Sequence, residues 1–267
     1  MCGRYTLRTS PKLLASSLGV EDLPLFNPRY NIAPTQFVLA ARLREDRPAR
    51  EAVLLKWGLI PSWAKDPAIG NRCINARADG VADKPSFRAA FKRRRCLIAA
   101  DSFYEWQKVG SKKQPWLFQL QGGTPFAFAG LWETRKPPDG EPVESCAIIT
   151  TEANGLVKSV HERMPVILSP DDYDAWLAPA EDARRLLTLL GPFPAGKIEA
   201  FPVGLHVNNP RNDDPACVEP LAGGKRFHAL EGPEPAPGAC PFSRHPAEAG
   251  LPVPAADPHG KSWLPPR

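Results

Sequence analysis

The stretch RCLIAADSFYEW, residues 95–106, decides how the fold is read. It is a short apolar and aromatic run. Period-two alternation in its second half puts Phe103, Glu105 and the following Gln107 on one side and Tyr104 and Trp106 on the other, as an extended strand requires. Working outward, similar runs recur in QFVLAARL (36–43), EAVLLKWGLI (51–60), QPWLFQLQ (114–121), PFAFAGLWE (125–133), CAIITT (146–151), PVILS (165–169) and KIEAFPV (197–203), mostly bounded by Gly, Pro, Asn or Asp. Helical signals are fewer: PSFRAAFKRR (85–94), SPDDYDAWL (169–177) and PAEDARRLLTLL (179–190), the last two opening with acidic residues suited to a helix N-terminus. Many short strands with few helices predict an α+β domain: a strongly curved, barrel-like mixed β-sheet core with a few flanking helices.

With 267 residues and 43% apolar side chains, the chain can bury a substantial core. One domain is predicted over 1–230. From residue 231 the composition turns to EGPEPAPGACPFSRHPAEAGLPVPAADPHGKSWLPPR, where frequent Pro blocks helix and apolar periodicity disappears, so 231–267 reads as a disordered tail. No apolar run is long enough to cross a bilayer, and the first twenty residues lack the order of a secretory signal, which predicts a cytoplasmic protein that does not engage membranes. The 6 cysteines (Cys2, Cys73, Cys96, Cys146, Cys217, Cys240) form no C-x-x-C pair and have no neighbouring His at metal-ligand spacing. Neither a disulfide framework, a metal site nor a cofactor is expected, and most of these cysteines read as buried fillers. There is no Gly-rich phosphate loop, internal repeat or helix-turn-helix pattern, while the net charge of +5 favours a polyanionic partner without establishing one.

Four places carry chemistry. The chain opens MCGRYT, and trimming of Met1 before a residue as small as Cys2 leaves one residue with both a free α-amine and a thiol. Their reference pKa values, roughly 7.7–8.0 and roughly 8.5, give each a usable nucleophilic fraction near neutral pH. An aldehyde is the natural target: the amine condenses to an imine, and the thiol closes on the same carbon to give a five-membered thiazolidine. The plainer alternative is an unreactive early Cys. In INARAD (74–79), Asn75 and Arg77 share a face if extended and would orient an oxygen-rich ligand, although Asn before small residues also makes turns. Glu105 lies among aromatics, where partial burial raises a carboxyl pKa and suits it to proton shuttling; a solvated strand face is the alternative. SVHERMPVIL (159–168) sets His161, a proton carrier near neutral pH, and Arg163, a phosphate holder, just before an apolar strand.

In order, MCGRYT, RYNIAP, WGLIPSWAKD, INARAD, RCLIAADSFYEW, ITTEANGLVKSVHERMPVIL and VNNPRND resemble the SOS-response-associated peptidase family, the abasic-site processing proteins, over roughly residues 1 to 221. The resemblance implies a DNA-damage protein that captures abasic sites in single-stranded DNA as a covalent thiazolidine. Cys2 would be the nucleophile, Asn75 would position the reacting groups, Glu105 would shuttle protons during imine formation, and His161 would favour sugar opening and assist reversal. Less directly, it implies Arg4, Arg77 and Arg163 on phosphates, with Trp63 stacking on a base or wedging beside the lesion; core packing is the alternative for Trp63. KRRR (92–95) reads as a solvated helix end rather than a DNA patch. A monomer is expected, associated with the nucleoid when DNA is damaged.

Two rival classes stand beside this one. A cysteine or N-terminal-nucleophile peptidase, acting on itself or on other proteins, needs the thiol or amine poised against a scissile carbonyl with an oxyanion hole. A non-covalent single-strand binder needs only salt-sensitive phosphate contacts and would be indifferent to Cys2.

Overall fold

The 95–106 stretch is two strands rather than one, divided at Asp101, and the two belong to different sheets. The computed structural model describes residues 2–44, 49–137, 140–179, 183–223 and 226–228; the predicted tail at 231–267 lies outside the described residues. In chain order the strands are β1 (Tyr5–Leu7), β2 (Arg29–Ile32), β3 (Phe37–Leu43), β4 (Arg50–Trp57), β5 (Asn75–Arg77), β6 (Arg95–Ala100), β7 (Ser102–Val109), β8 (Lys112–Leu120), β9 (Phe126–Arg135), β10 (Val143–Glu152), β11 (Arg163–Pro165), β12 (Ile167–Leu168), β13 (Ile198–Pro202) and β14 (Phe227–His228). The helices are α1 (Pro11–Leu18), α2 (Arg88–Arg93), α3 (Tyr173–Leu177) and α4 (Ala183–Thr188).

Strands β10, β4, β3, β6 and β9 pair in succession, and β9 pairs back to β10, which closes a barrel. The β10–β4 seam is parallel, with Cys146 opposite Trp57, and the other four pairings are antiparallel, so the barrel is mixed as predicted. Strands β5 and β11 attach to β10, and β12 attaches to β9. The second sheet runs β14-β13-β8-β7-β1-β2 and is antiparallel throughout.

Asp101 makes the corner between the two sheets. Its buried carboxylate accepts hydrogen bonds from the main-chain N–H of Arg8, the N–H of Thr9 (3.1 Å) and the Thr9 hydroxyl (2.5 Å), while its own N–H donates to Thr6 O at 2.9 Å. The residues after β1 are thereby held to the β6–β7 junction. The predicted alternation then sorts the core. Phe103 stacks on Phe118 at 5.1 Å within the main cluster that fills the barrel, whereas Tyr104 joins Leu117, Phe201, Val203, Val207 and Cys217 in a second cluster.

The KRRR run is only partly a solvated helix end. Lys92 and Arg93 are exposed, but Arg94 pairs with Glu133 at 2.6 Å. Arg95 is buried, and its guanidinium donates to the carbonyls of Trp176 (2.7 Å), Phe91 (2.6 Å) and Ala178 (2.7 Å). Helix α1 and strands β1, β2, β5, β11 and β14 lie outside the predicted elements. Among the described residues no helix is long and apolar enough to cross a membrane.

Replacing Asp101 by Ala strands three donors at once, two of them main-chain. Urea unfolding should show Asp101→Ala destabilised by about 2–3 kcal/mol, with the loss carried by the midpoint rather than the slope.

Candidate active site

Cys2 leads into β1 and is fully buried. Asn75, the first residue of β5, donates through Nδ2 to Cys2 O at 2.9 Å, and the Arg4 main-chain N–H is directed at the Cys2 sulfur. Burial pushes the thiol far above its ordinary range, and the nearby Glu105 carboxylate adds to the effect. The expected usable thiolate fraction near neutral pH is therefore reduced here: burial withdraws water from the anion, and this outweighs the opposing charge of the chain N-terminus.

Glu105 reaches the same place from β7. The register of β1 against β7 pairs Tyr5 with Phe103, and the Tyr104 N–H donates to Arg4 O at 3.0 Å, so the next residue, Glu105, runs alongside the N-terminal segment. It is 3% exposed, which removes the solvated strand-face alternative. Burial raises its carboxyl pKa, and the chain N-terminus, followed by the neighbouring His161, opposes that rise. His161 Nδ1 lies 3.0 Å from the Arg163 N and 3.1 Å from the Arg163 O, so the ring is held against the Arg163 main chain. Gln107, two residues beyond Glu105, donates to Ser159 O at 3.0 Å and ties the turn before His161 to β7.

Arg77 and Arg163 converge because β10 pairs with both of their strands. Thr150 of β10 lies opposite Arg77 on one side and Pro165 on the other. Arg163 Nη2 donates to Thr150 O at 2.6 Å. Arg77 is exposed and its fork grips Asp79, with Nε to Oδ1 at 3.1 Å and Nη2 to Oδ2 at 2.6 Å.

Trp63 is 59% exposed, so core packing does not account for it. Its loop is nonetheless held firmly. Gly58, at φ 130°, and Gly70 approach so closely that a Cβ on Gly58 would lie 2.8 Å from Gly70 O. Arg135 then donates to Ala64 O at 2.8 Å and Lys65 O at 3.0 Å. Arg4 stands apart from the other expected phosphate contacts. Its Nη1 donates to Asn31 Oδ1 at 2.8 Å and Val207 O at 2.9 Å, and its guanidinium lies 5.8 Å from the Trp106 ring centroid, so here it braces the 207–213 segment. That segment also gathers His206, Asp214 and Cys217, a grouping that sequence spacing did not suggest. Both imidazole nitrogens are engaged, Nε2 by Asp214 at 2.9 Å and Nδ1 by Asn212 at 3.1 Å, and the Cys217 thiol donates to Asn212 O. The group acts as a brace.

The model of the SOS response associated peptidase (SRAP) family matches residues 1–210. The chain belongs to the SRAP family. It is 42% identical over 224 residues to the abasic site processing protein YoqW of Bacillus subtilis, covering 82% of this chain and 99% of that protein. It is 34% identical over 230 residues to the abasic site processing protein HMCES of Gallus gallus, covering 73% of this chain and 67% of that protein. A crystal structure of a Bacteroides thetaiotaomicron protein superposes with a TM-score of 0.75 at 26% identity, covering 83% of this chain and all of that one. In this SRAP chain Cys2, Asn75, Glu105 and His161 form one group, Arg77 and Arg163 form a second, and Trp63 occupies its own loop. Asp79, Arg135 and Asn31 escaped the sequence reading, although Asp79 lies in INARAD and Asn31 in RYNIAP; Gln107 was placed on the Glu105 side of its strand without a role.

Two outcomes follow from this geometry. Arg135→Ala should speed hydrogen exchange at Ala64 about tenfold, the effect of losing roughly 1.4 kcal/mol of local hydrogen bonding, with little change in global unfolding. Because the folded Glu105 carboxyl holds its proton above the pH at which the unfolded one releases it, stability should fall as pH rises from about 4.3 through the elevated folded value. Glu105→Gln should flatten that slope in urea unfolding run across the same pH range.

Proposed function

We propose that this protein captures abasic sites in single-stranded DNA, forming a thiazolidine between Cys2, exposed as the first residue by removal of Met1, and the aldehyde of the ring-opened sugar. The observation that carries the reading is the enclosure of Cys2 between the Asn75 amide and the Glu105 carboxyl, one a donor on its main chain and the other an acid whose pKa burial raises. The names of the relatives, abasic site processing proteins, support the substrate class.

The Cys2 amine adds to the aldehyde carbon to give a carbinolamine. Glu105 donates its proton to the departing hydroxyl, water leaves, and an iminium remains beside a new carboxylate. That carboxylate takes the thiol proton, the sulfur adds to the iminium carbon, and the ring closes with Glu105 reprotonated. One water is lost for each aldehyde captured. The high thiol pKa suits this order, because the sulfur stays protonated until a base forms next to it. Asn75 fixes the Cys2 main chain, and its Oδ1, buried and without a hydrogen-bond partner, is an acceptor for the freed amine. His161 acts on the sugar oxygen during ring opening and on reversal. Arg77 and Arg163 hold phosphates, Arg4 retains two further guanidinium nitrogens for the same task, and Trp63 stacks beside the lesion. The protein acts as a monomer on damaged DNA, without a cofactor.

Trimmed protein mixed with single-stranded DNA carrying one abasic site should give an adduct that survives denaturation. Cys2→Ala should abolish it, and Cys2→Ser should leave at most an imine that requires reductive trapping. A long-lived untrapped adduct from Cys2→Ser would refute the thiazolidine. Sustained peptide cleavage that depends on Cys2, without any DNA adduct, would replace the reading with a peptidase.

A further inference from the structure

Asp79 stands where an anion would bind. It follows Arg77 by two residues in the turn over Ala78–Gly80, and its two oxygens meet the Arg77 fork side by side at 3.1 and 2.6 Å. Guanidinium presents the same fork to phosphate, since both anions offer paired oxygens at similar spacing. Arg77 hydrogen-bonds the Asp79 carboxyl and holds it below the usual carboxylate range, and the charges of Arg163 and Lys84 act in the same direction. The carboxylate therefore lies beside the guanidinium groups of β5 and β11 at the edge of β10, where Glu152 faces Arg163. Both members of the pair are about half exposed, 52% and 51%, so an incoming anion has access to either.

We propose that Asp79 acts as a built-in competitor for the DNA phosphate, occupying the Arg77 fork until a phosphate displaces it. The inference rests on the DNA-capture reading given above. An exposed ion pair is weak enough to exchange, so the carboxylate does not block DNA. It lowers the residence of every strand equally, damaged or intact. Intact strands then dissociate, whereas an abasic strand is retained by its bond to Cys2. Lesion selection shifts from non-covalent affinity to the covalent step, which matters where intact strand is in large excess.

The test measures binding of an undamaged single-stranded oligonucleotide by fluorescence anisotropy over a salt series, using wild type, Asp79→Asn, Arg77→Ala and the double variant. Asp79→Asn should bind about 1.5- to fivefold more tightly at low salt, with a log–log salt slope steeper by about 0.7, equivalent to one more phosphate contact. In the Arg77→Ala background the same change should have no further effect. Capture of an abasic oligonucleotide by Asp79→Asn should also become more sensitive to competition by intact strand. Unchanged or weaker binding by Asp79→Asn would overturn the proposal, as would equal tightening in the Arg77→Ala background, which would indicate a general charge effect. Asp79→Ser, checked by thermal unfolding, serves the same comparison should the Asn variant fold poorly. Wild-type capture of abasic DNA, measured alongside, separates the two levels: capture without tightening defeats only the role of Asp79, and absence of capture defeats the reading beneath it.

Discussion

Residues 2–7 lie between β7 and β2, and the site depends on this placement of the N-terminal segment inside the fold. Tyr5 anchors it, with its ring edge-on to Trp57 at 5.4 Å and to Phe128 at 5.6 Å. The anchor carries a cost, because the Tyr5 hydroxyl is buried without a hydrogen-bond partner. Burying an aromatic ring contributes on the order of 4–5 kcal/mol by area, against about 1–3 kcal/mol for an unsatisfied hydroxyl. Packing wins, and Cys2 is carried inward with the ring.

Strand β10 connects this anchor to the rest of the chemistry. Its Cys146 belongs to the parallel seam of the barrel, Ile148–Thr150 hold β5, and Thr150–Glu152 hold β11. The strand that closes the barrel therefore also sets Asn75 and Arg77 on one side and Arg163 on the other. Platform and site share one element, so strain at the seam reaches the reactive groups directly.

Much of both sheets could be read along the chain because β3, β4, β6, β8, β9, β10 and β13 are long enough to show apolar runs or alternation. Strands β1, β2, β5 and β11 are three or four residues long and show no period; they exist because β7 offers an edge to β1, β1 to β2, and β10 to β5 and β11. Helix α1 had local signals that the strand-rich context overshadowed: Pro11 in its first turn, and Gly19 at φ 65° closing it with N–H groups turned back to Ser16 O and Ala15 O. Cys2, Asn75, Glu105 and His161 could be picked out by chemical type and by family resemblance. The upward shift of the Cys2 thiol could not, since it comes first from burial by the folded sheets and then from Glu105, a hundred positions away. The same holds for Arg95, whose burial is set by carbonyls of Phe91, Trp176 and Ala178, two of them from α3 and the residue after it.

The enclosure of Cys2 has a consequence in time. During translation the first residues leave the ribosome while β7 is still about a hundred codons away, an interval of roughly 5–20 s at ordinary elongation rates. For that interval the leader has no sheet to enter and stays open to an aminopeptidase. Once β7 arrives, Cys2 is shut in. The trimming that the proposed capture requires is therefore favoured on the nascent chain, before Cys2 is buried.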